Sequence, residues 1–459
     1  VFVLTLIVLA PLVHGTVFGA GNDASRFALI ESLVDRGTTT IESSRYRWTV
    51  DQVLVDGRVY SNKPPLLSLA GALPYAVMER LFGLSLETHE EAVLYLLNLL
   101  LVAVPTALLC ALFHRSLVAH WGPESHAGLV TATLAAGTIL TSFSTTLNNH
   151  TVAAALLFAA FDAALFGRSL AAGAWLGLTV CVDIVPGLLF VPALGAALYT
   201  QRKGEAKALR PYALALAGGA VLFVAADLFT TGSFWPAKMA ANAHDYSSST
   251  GAAVAGVLLP NSWNYPLEAL FGWHGFFSVS PVLLFGAGGL LRSVNRDSPL
   301  PRRVTRLVGM TCAVMIAAHI IFVGSYGGWS YGFRYLIPII PVLLFYAPAA
   351  LGTVGRRVYV PVLAFSCLTA LLGAYNPWPP ADEPGTGRHP VASVVTNPVG
   401  GNLAAWLVQM TPGTLADEAA RFFISTDPDA RRQYLRLFYA SRGDVLTMQR
   451  IPPGVPKTP

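Results

Sequence analysis

Charge is what this sequence has least of. Only 12% of its 459 residues are Asp, Glu, Lys or Arg, while 54% are hydrophobic. Soluble globular chains carry about 25% charged residues, and a soluble fold of this length could not hide so much apolar surface. A cytosolic enzyme, a disordered chain and a secreted disulfide scaffold are excluded. Cysteine is also scarce. Cys110, Cys181, Cys312 and Cys367 each lie inside an apolar run without C-x-x-C spacing, so they read as small buried hydrophobes rather than disulfides or metal ligands. The strict apolar–polar alternation of an outer-membrane barrel is missing, as are internal repeats and low-complexity tracts. The net charge of +5 is spread over loops between apolar runs, which gives no footing for nucleic acid.

What is present is a series of long apolar runs, the pattern of an all-α polytopic membrane protein. About eleven spans can be read, at 1–20, 92–113, 126–146, 151–167, 169–183, 186–200, 210–231, 276–291, 306–324, 335–353 and 357–375. The short pair 169–183 and 186–200 meets at Asp183 and Pro186, which predicts tilted or broken helices. The chain opens inside an apolar run, read as a first span rather than a signal peptide. Pro65–Phe82 is apolar as well and is read as an interfacial helix.

The basic residues orient these spans. Arg115, Arg168, the cluster Arg202–Arg210, the cluster Arg292–Arg306 and the pair Arg356–Arg357 occupy one set of short loops. The loops at 144–150, 232–275 and 324–334 hold only Lys238 and Arg334. Basic short loops stay cytoplasmic. The segments 21–91 and 232–275 and the tail 376–459 are therefore expected outside, with 1–375 as the transmembrane domain and the tail as a small cap containing an amphipathic stretch, Leu415–Tyr439.

The residues able to carry chemistry crowd at that outer side. Asp23, in Gly21-Asn22-Asp23-Ala24-Ser25-Arg26, is either a general base or metal ligand at the membrane surface, or a helix N-cap. Lys63 stands in Tyr60-Ser61-Asn62-Lys63-Pro64-Pro65-Leu66-Leu67, at headgroup depth before a helix; it suits a lipid phosphate or is a snorkelling lysine. Asp51 is a second outer carboxylate, a turn residue, or a partner for Arg45 or Arg58. His150 and His274 are candidates for proton relay, phosphate or metal, or structural histidines. Arg334, in Gly327-Gly328-Trp329-Ser330-Tyr331-Gly332-Phe333-Arg334-Tyr335, abuts a span, where an unpaired cation is expensive. Its fork of donors fits phosphate oxygens, and Trp329 and Tyr331 could stack on a sugar or an isoprenyl chain; the alternative is an aromatic belt. Asp183 is the acidic residue deepest in an apolar stretch, although Asp162 and Asp227 also lie in spans.

An acid after the first span, a Tyr-Ser-Asn-Lys-Pro-Pro-Leu-Leu segment and an Arg-Tyr-x-x-Pro before a late span together resemble the GT-C superfamily of membrane glycosyltransferases. The resemblance is to the family 39-like group that includes bacterial relatives of protein O-mannosyltransferases and the lipid A aminoarabinose transferase, and it covers about residues 1–375. It implies a cell-envelope glycosylation enzyme of the bacterial cytoplasmic membrane with an outward-facing site. Such an enzyme takes a polyprenyl-phosphate sugar as donor and a lipid, glycan or protein hydroxyl as acceptor. By the resemblance, Asp23 is the first-loop acid, Lys63 the lysine on the donor phosphate and Arg334 a second phosphate contact, with Asp51 as the second carboxylate; Tyr60, His150, His274, Trp329 and Tyr331 remain candidate substrate or supporting residues from their own positions. A divalent metal is the one cofactor left open. Two departures stand out: Asn22 and Ala24 flank Asp23 where many relatives have an acidic pair, and Asn62 precedes Lys63 where Asp or Glu is common. A transporter or flippase of a lipid-linked or small solute is the competing class.

Overall fold

The computed structural model describes the chain except residues 20, 240–243, 246–252, 255–256, 259–264, 296–297, 324–326, 382–389, 395–396, 412 and 452–459. The fold is all-α and polytopic. Among the described residues, five helices are long and apolar enough to cross a membrane: Glu90–Trp121, Ile184–Gln201, Ala206–Thr231, Arg302–Ile321 and Arg356–Tyr375. Shorter apolar helices run over Phe2–Leu12, Asn149–Leu165, Ser169–Val182 and Arg334–Leu344.

Prolines and one glycine explain why other apolar runs are built from pieces. The run 126–146 forms helices Ala127–Ala136 and Ile139–Phe143, parted at Gly137. The run 335–353 starts as a 3-10 helix, Arg334–Ile339, followed by Ile340–Leu344 and Ala347–Val354. Pro338 and Pro341 lack the N–H a continuous α-helix needs there. In the long helix beginning at Glu90, a π-turn over Leu99–Ala103 precedes Pro105, whose ring would otherwise meet a carbonyl of the preceding turn. The break expected near Pro186 is present: helix Ser169–Val182 ends at Asp183, which is extended (φ −149°, ψ 102°) and starts Ile184–Leu189.

Large side chains on the outside of the bundle, among them Leu214, Val221, Phe229 and Leu291, are exposed, as a lipid-facing surface requires. Helix Ser169–Val182 packs on Leu209–Thr231 without intervening side chains at Gly173 and Gly177. A Cβ at either would meet the facing backbone at 2.3 and 3.0 Å, the close approach typical of small-residue contacts in membranes.

The first loop is ordered and partly sheet. Strands Gln52–Val55 and Arg58–Ser61 form a hairpin around Asp56 (φ 48°) and Gly57 (φ 80°), the left-handed pair an Asp-Gly turn supplies. A third strand, His244–Asp245, pairs with Val53–Leu54. The two long loops read as lying on one side thus meet each other. Helix Leu66–Phe82 buries Leu67, Gly71, Tyr75 and Met78 while exposing Leu73, Val77, Leu81 and Phe82, an apolar outward face suited to a lipid interface.

The tail contains helices Pro398–Met410, Thr414–Phe423, Pro428–Ser441 and Val445–Arg450 around its own small core of Ala404, Ala420, Ile424 and Phe438. It docks on the end of the last span: Asn402 Nδ2 donates to Leu372 O and Asn376 O, and Arg442 lies 3.7 Å over the Tyr375 ring. It also reaches the segment between the first helix and helix Asn22–Asp35, where Gly19 N donates to Ser441 O.

Candidate active site

Helix Asn22–Asp35 carries the first part of the site. Its N-cap, Gly21, has φ +82° and sits where a Cβ would lie 3.0 Å from Thr49 Oγ1, so the position demands glycine. Asp23 follows in the first turn and is fully buried. Its Oδ2 accepts from Phe18 N at 3.0 Å and, at a longer 3.4 Å, from Thr146 Oγ1; its Oδ1 accepts from Ala24 N. Burial, only partly offset by the backbone donors, raises this carboxyl from 3.8 to about 7.

Arg26 lies one turn on and is 1% exposed. Its Nη1 donates to Asn22 O and Oδ1, and its Nη2 donates to Asn149 Oδ1 at 2.8 Å. Burial lowers its guanidinium to about 10; the charges acting on it next are Asp51, Arg334, Asp23 and Asp183. It remains a cation at neutral pH. Sequence reading passed over Arg26, which sits in a helix and looks like an ordinary surface arginine.

The hairpin delivers Lys63. Ser25 Oγ on the helix meets Ser61 Oγ at 2.7 Å and donates to Asp51 O, which clamps both ends of the hairpin to helix Asn22–Asp35. Lys63 N donates to Ser61 Oγ, and Lys63 Nζ lies 2.7 Å from Asp51 Oδ1. The pairing with Arg45 or Arg58 weighed for Asp51 gives way to Lys63. Arg45 instead reaches Glu31 and Glu90. Tyr60 is half-buried on the second strand, packed near Val53 and Ala237. With Lys63 it borders a small cavity of about 10 Å³.

Arg334 opens the proline-broken run and is buried. Its Nη1 donates to Gly327 O, and its guanidinium stacks over Trp378 at 4.8 Å and Tyr335 at 5.1 Å. Trp378 Nε1 in turn contacts Thr146 Oγ1, the hydroxyl that reaches Asp23. Arg334 and Asp23 are thus joined through two residues, Trp378 and Thr146. Both Arg26 Nε and Arg334 Nε are buried with no hydrogen-bond partner among the described residues. Arg45 Nε and two nitrogens of Arg442 share this state; what sets Arg26 and Arg334 apart is that each charge acts on the same cluster, Arg334 on Arg26 directly.

His150, at the start of helix Asn149–Leu165, holds its Nδ1 2.6 Å from Asp183 Oδ2. Its ring meets Tyr335 edge-on at 5.1 Å, and Tyr335 stacks on His319. The break at Asp183 therefore serves a buried carboxylate–imidazole pair beside Arg334. His274 is buried; its carbonyl accepts from Phe333 N, next to Arg334. Trp329 is half-buried. Tyr331 is fully buried and its hydroxyl donates to Thr369 O at 2.6 Å, a packing role that leaves no free ring face for a sugar. Among the described residues no group of three or more His, Cys, Asp and Glu side chains is arranged to hold a metal ion.

No protein family profile matches the chain, and no curated protein does. Solved structures do. ArnT from Cupriavidus metallidurans bound to undecaprenyl phosphate is 13% identical, with a TM-score of 0.52 over 98% of this chain and 76% of that one. The same protein in the apo state is 16% identical, with a TM-score of 0.53 over the same shares. The Archaeoglobus fulgidus oligosaccharyltransferase in the apo form is 13% identical, with a TM-score of 0.47 over 93% of this chain and 60% of that one. At these identities the ArnT likeness is one of fold: the chain shares the polytopic helical fold of ArnT.

Proposed function

From the fold it shares with ArnT, we propose that this protein transfers a sugar from a polyprenyl-phosphate donor to an acceptor hydroxyl. The reaction takes place on the outer face of the cytoplasmic membrane. The observation that carries the reading is the pair of buried guanidiniums, Arg26 and Arg334, each with an unpartnered Nε, in one electrostatic neighbourhood with the Lys63–Asp51 pair. A phosphate monoester or diester supplies the oxygens such donors need. ArnT has been solved with undecaprenyl phosphate, a ligand of that chemistry.

In the proposed reaction the phosphate lies among Lys63, Arg334 and Arg26, with the polyprenyl chain in the bilayer. The acceptor hydroxyl takes the place of Thr146 on Asp23 Oδ2, the longest of that carboxylate's contacts. Asp23 accepts the hydroxyl proton as the oxygen attacks the anomeric carbon. The bond from that carbon to the phosphate oxygen breaks, the electron pair leaves on the phosphate, and the cations stabilise the charge that develops. One in-line displacement inverts the anomeric centre. A carboxyl held near 7 is suited to a base working at neutral pH. Residues 1–375 form the transferase domain, and 376–459 cap it.

The test offers purified protein and its Asp23→Asn variant a panel of radiolabelled polyprenyl-phosphate sugars. Donor binding by both, with transfer or hydrolysis lost in the variant, is the expected result. Failure of both proteins to bind any donor would turn the reading to transport, with Asp183 as the next residue to change.

A further inference from the structure

A cavity of about 410 Å³ lies outside the cluster just described, bounded by the segment after the first helix, by Arg45, Tyr46 and Trp48 of the first loop, by Glu90 and Glu91, and by Gly443 of the tail. Its volume falls within the range of small-molecule sites, about 300–1,000 Å³, and suits one or two sugar rings. Four separate parts of the chain meet to make it, so it exists only in the folded protein.

Its chemistry differs from that of the phosphate cluster. Trp48 is 50% exposed, so an indole face is free to stack on the C–H face of a pyranose. Glu90 is fixed by the Tyr46 hydroxyl, which donates to its Oε1 at 2.8 Å, and its side chain is still 45% exposed. It can therefore accept hydrogen bonds from sugar hydroxyls. The one cation, Arg45, is already committed: it lies 3.6 Å from buried Glu31, 3.7 Å from Glu90, and donates to Leu86 O. Glu90 and Glu91 thus leave the cavity with an acidic balance, which repels a phosphate or a uronate and accepts a neutral or amino sugar.

Position ties this cavity to the transfer site. Val17 lines it, and the next residue, Phe18, donates its N–H to the Asp23 carboxylate. Trp48 also lines it, three residues before the Asp51 that holds Lys63. We infer that the cavity is an acceptor subsite that binds a neutral or amino sugar of the acceptor, with Trp48 as its stacking platform and Glu90 and Glu91 as its hydroxyl and amine acceptors. The inference rests on the transferase reading for the word acceptor, and on the cavity alone for the sugar.

Saturation-transfer NMR on the full chain in detergent, without donor, tests the sugar site independently of catalysis. The probes are methyl β-glucoside, methyl β-glucosaminide and methyl β-glucuronide. The first two should give ring C–H signals and the glucuronide should be at least about tenfold weaker in affinity. Trp48→Ala should abolish the signals, Trp48→Phe should retain them in part, and Glu91→Gln should narrow the gap to the glucuronide. Undecaprenyl phosphate binding should be unchanged in Trp48→Ala, which shows that the variant is folded. Equal signals from all three sugars, or signals indifferent to Trp48→Ala, overturn the site. If sugars bind as expected but the wild-type protein binds no polyprenyl-phosphate donor, the transferase reading fails and the sugar site stands.

Discussion

Lys63 holds its ammonium 2.7 Å from the Asp51 carboxylate, and both side chains are 13% exposed. In the proposed reaction, a donor phosphate therefore competes with Asp51 for the lysine. Asp51→Asn removes the competitor without emptying the position, and is expected to tighten undecaprenyl phosphate binding by about fivefold, or about 1 kcal/mol. In the proposed reaction, Lys63→Ala removes a contact to the leaving phosphate. It should lower turnover by about a hundredfold or more, in line with loss of one donor to developing negative charge. Isothermal titration with the lipid and single-turnover transfer check the two. A Lys63→Ala enzyme with full turnover would remove Lys63 from the site.

Arg334 is held by shape as well as charge. Its guanidinium is stacked over the Trp378 and Tyr335 rings while Nη1 is tied to Gly327 O. A lysine keeps the charge but not the planar fork that stacks and donates in fixed directions. Arg334→Lys is expected to bind the lipid phosphate about tenfold more weakly, with a thermal midpoint close to wild type. Wild-type affinity in this variant would mean that the site needs only a point charge there.

Much of the architecture is legible in the residues themselves. The scarcity of charge gives the membrane class, the apolar runs give the long helices, and Pro186 beside Asp183 gives the break. The local signals are strong because each belongs to one contiguous stretch. What stays hidden depends on distant pairing. Asp56-Gly57 is a hairpin signal, but the strands are only four residues long, and the third strand comes from residues nearly two hundred positions away. Arg26 looks solvated until folding brings Asn149, 123 positions on, against it. Tyr331 reads as one of a run of interfacial aromatics. It becomes core because Thr369 and Pro377 supply the partners for its hydroxyl and its N–H. The site was thus half legible: Lys63 and Arg334 stand out by their sequence neighbours, whereas Arg26 and the His150–Asp183 contact exist only in three dimensions.

The carboxyl of Asp23, raised to about 7 by burial, gives two pH dependences. As a base it must be deprotonated, so transfer should fall as pH drops through about 7, and the acid limb of kcat/KM should report that value. The stability effect has the other sign. The folded protein holds the proton more tightly than the unfolded chain, whose value is near 3.8. This group's contribution is therefore fully present below about 4 and is lost as pH rises through about 7. Asp23→Asn should flatten that part of the melting-temperature profile between pH 4 and 7. An acid limb well below 6 in the wild-type rate profile would argue against Asp23 as the base.

His150 and Asp183 meet at 2.6 Å with both residues buried, one at the head of a helix and the other at the break between two. Removing one partner of a buried hydrogen bond leaves the other unsatisfied, at a cost of about 1–3 kcal/mol. His150→Phe preserves the edge-on packing against Tyr335 but leaves the Asp183 side chain without this hydrogen bond, and Asp183→Asn leaves the imidazole with a weaker partner. Each single variant should lower the thermal midpoint clearly. The double variant should be little worse than the poorer single one, because both singles lose the same hydrogen bond and it is counted only once. Additive losses in this cycle would mean that the two side chains support the helix break separately and that the short contact contributes nothing of its own.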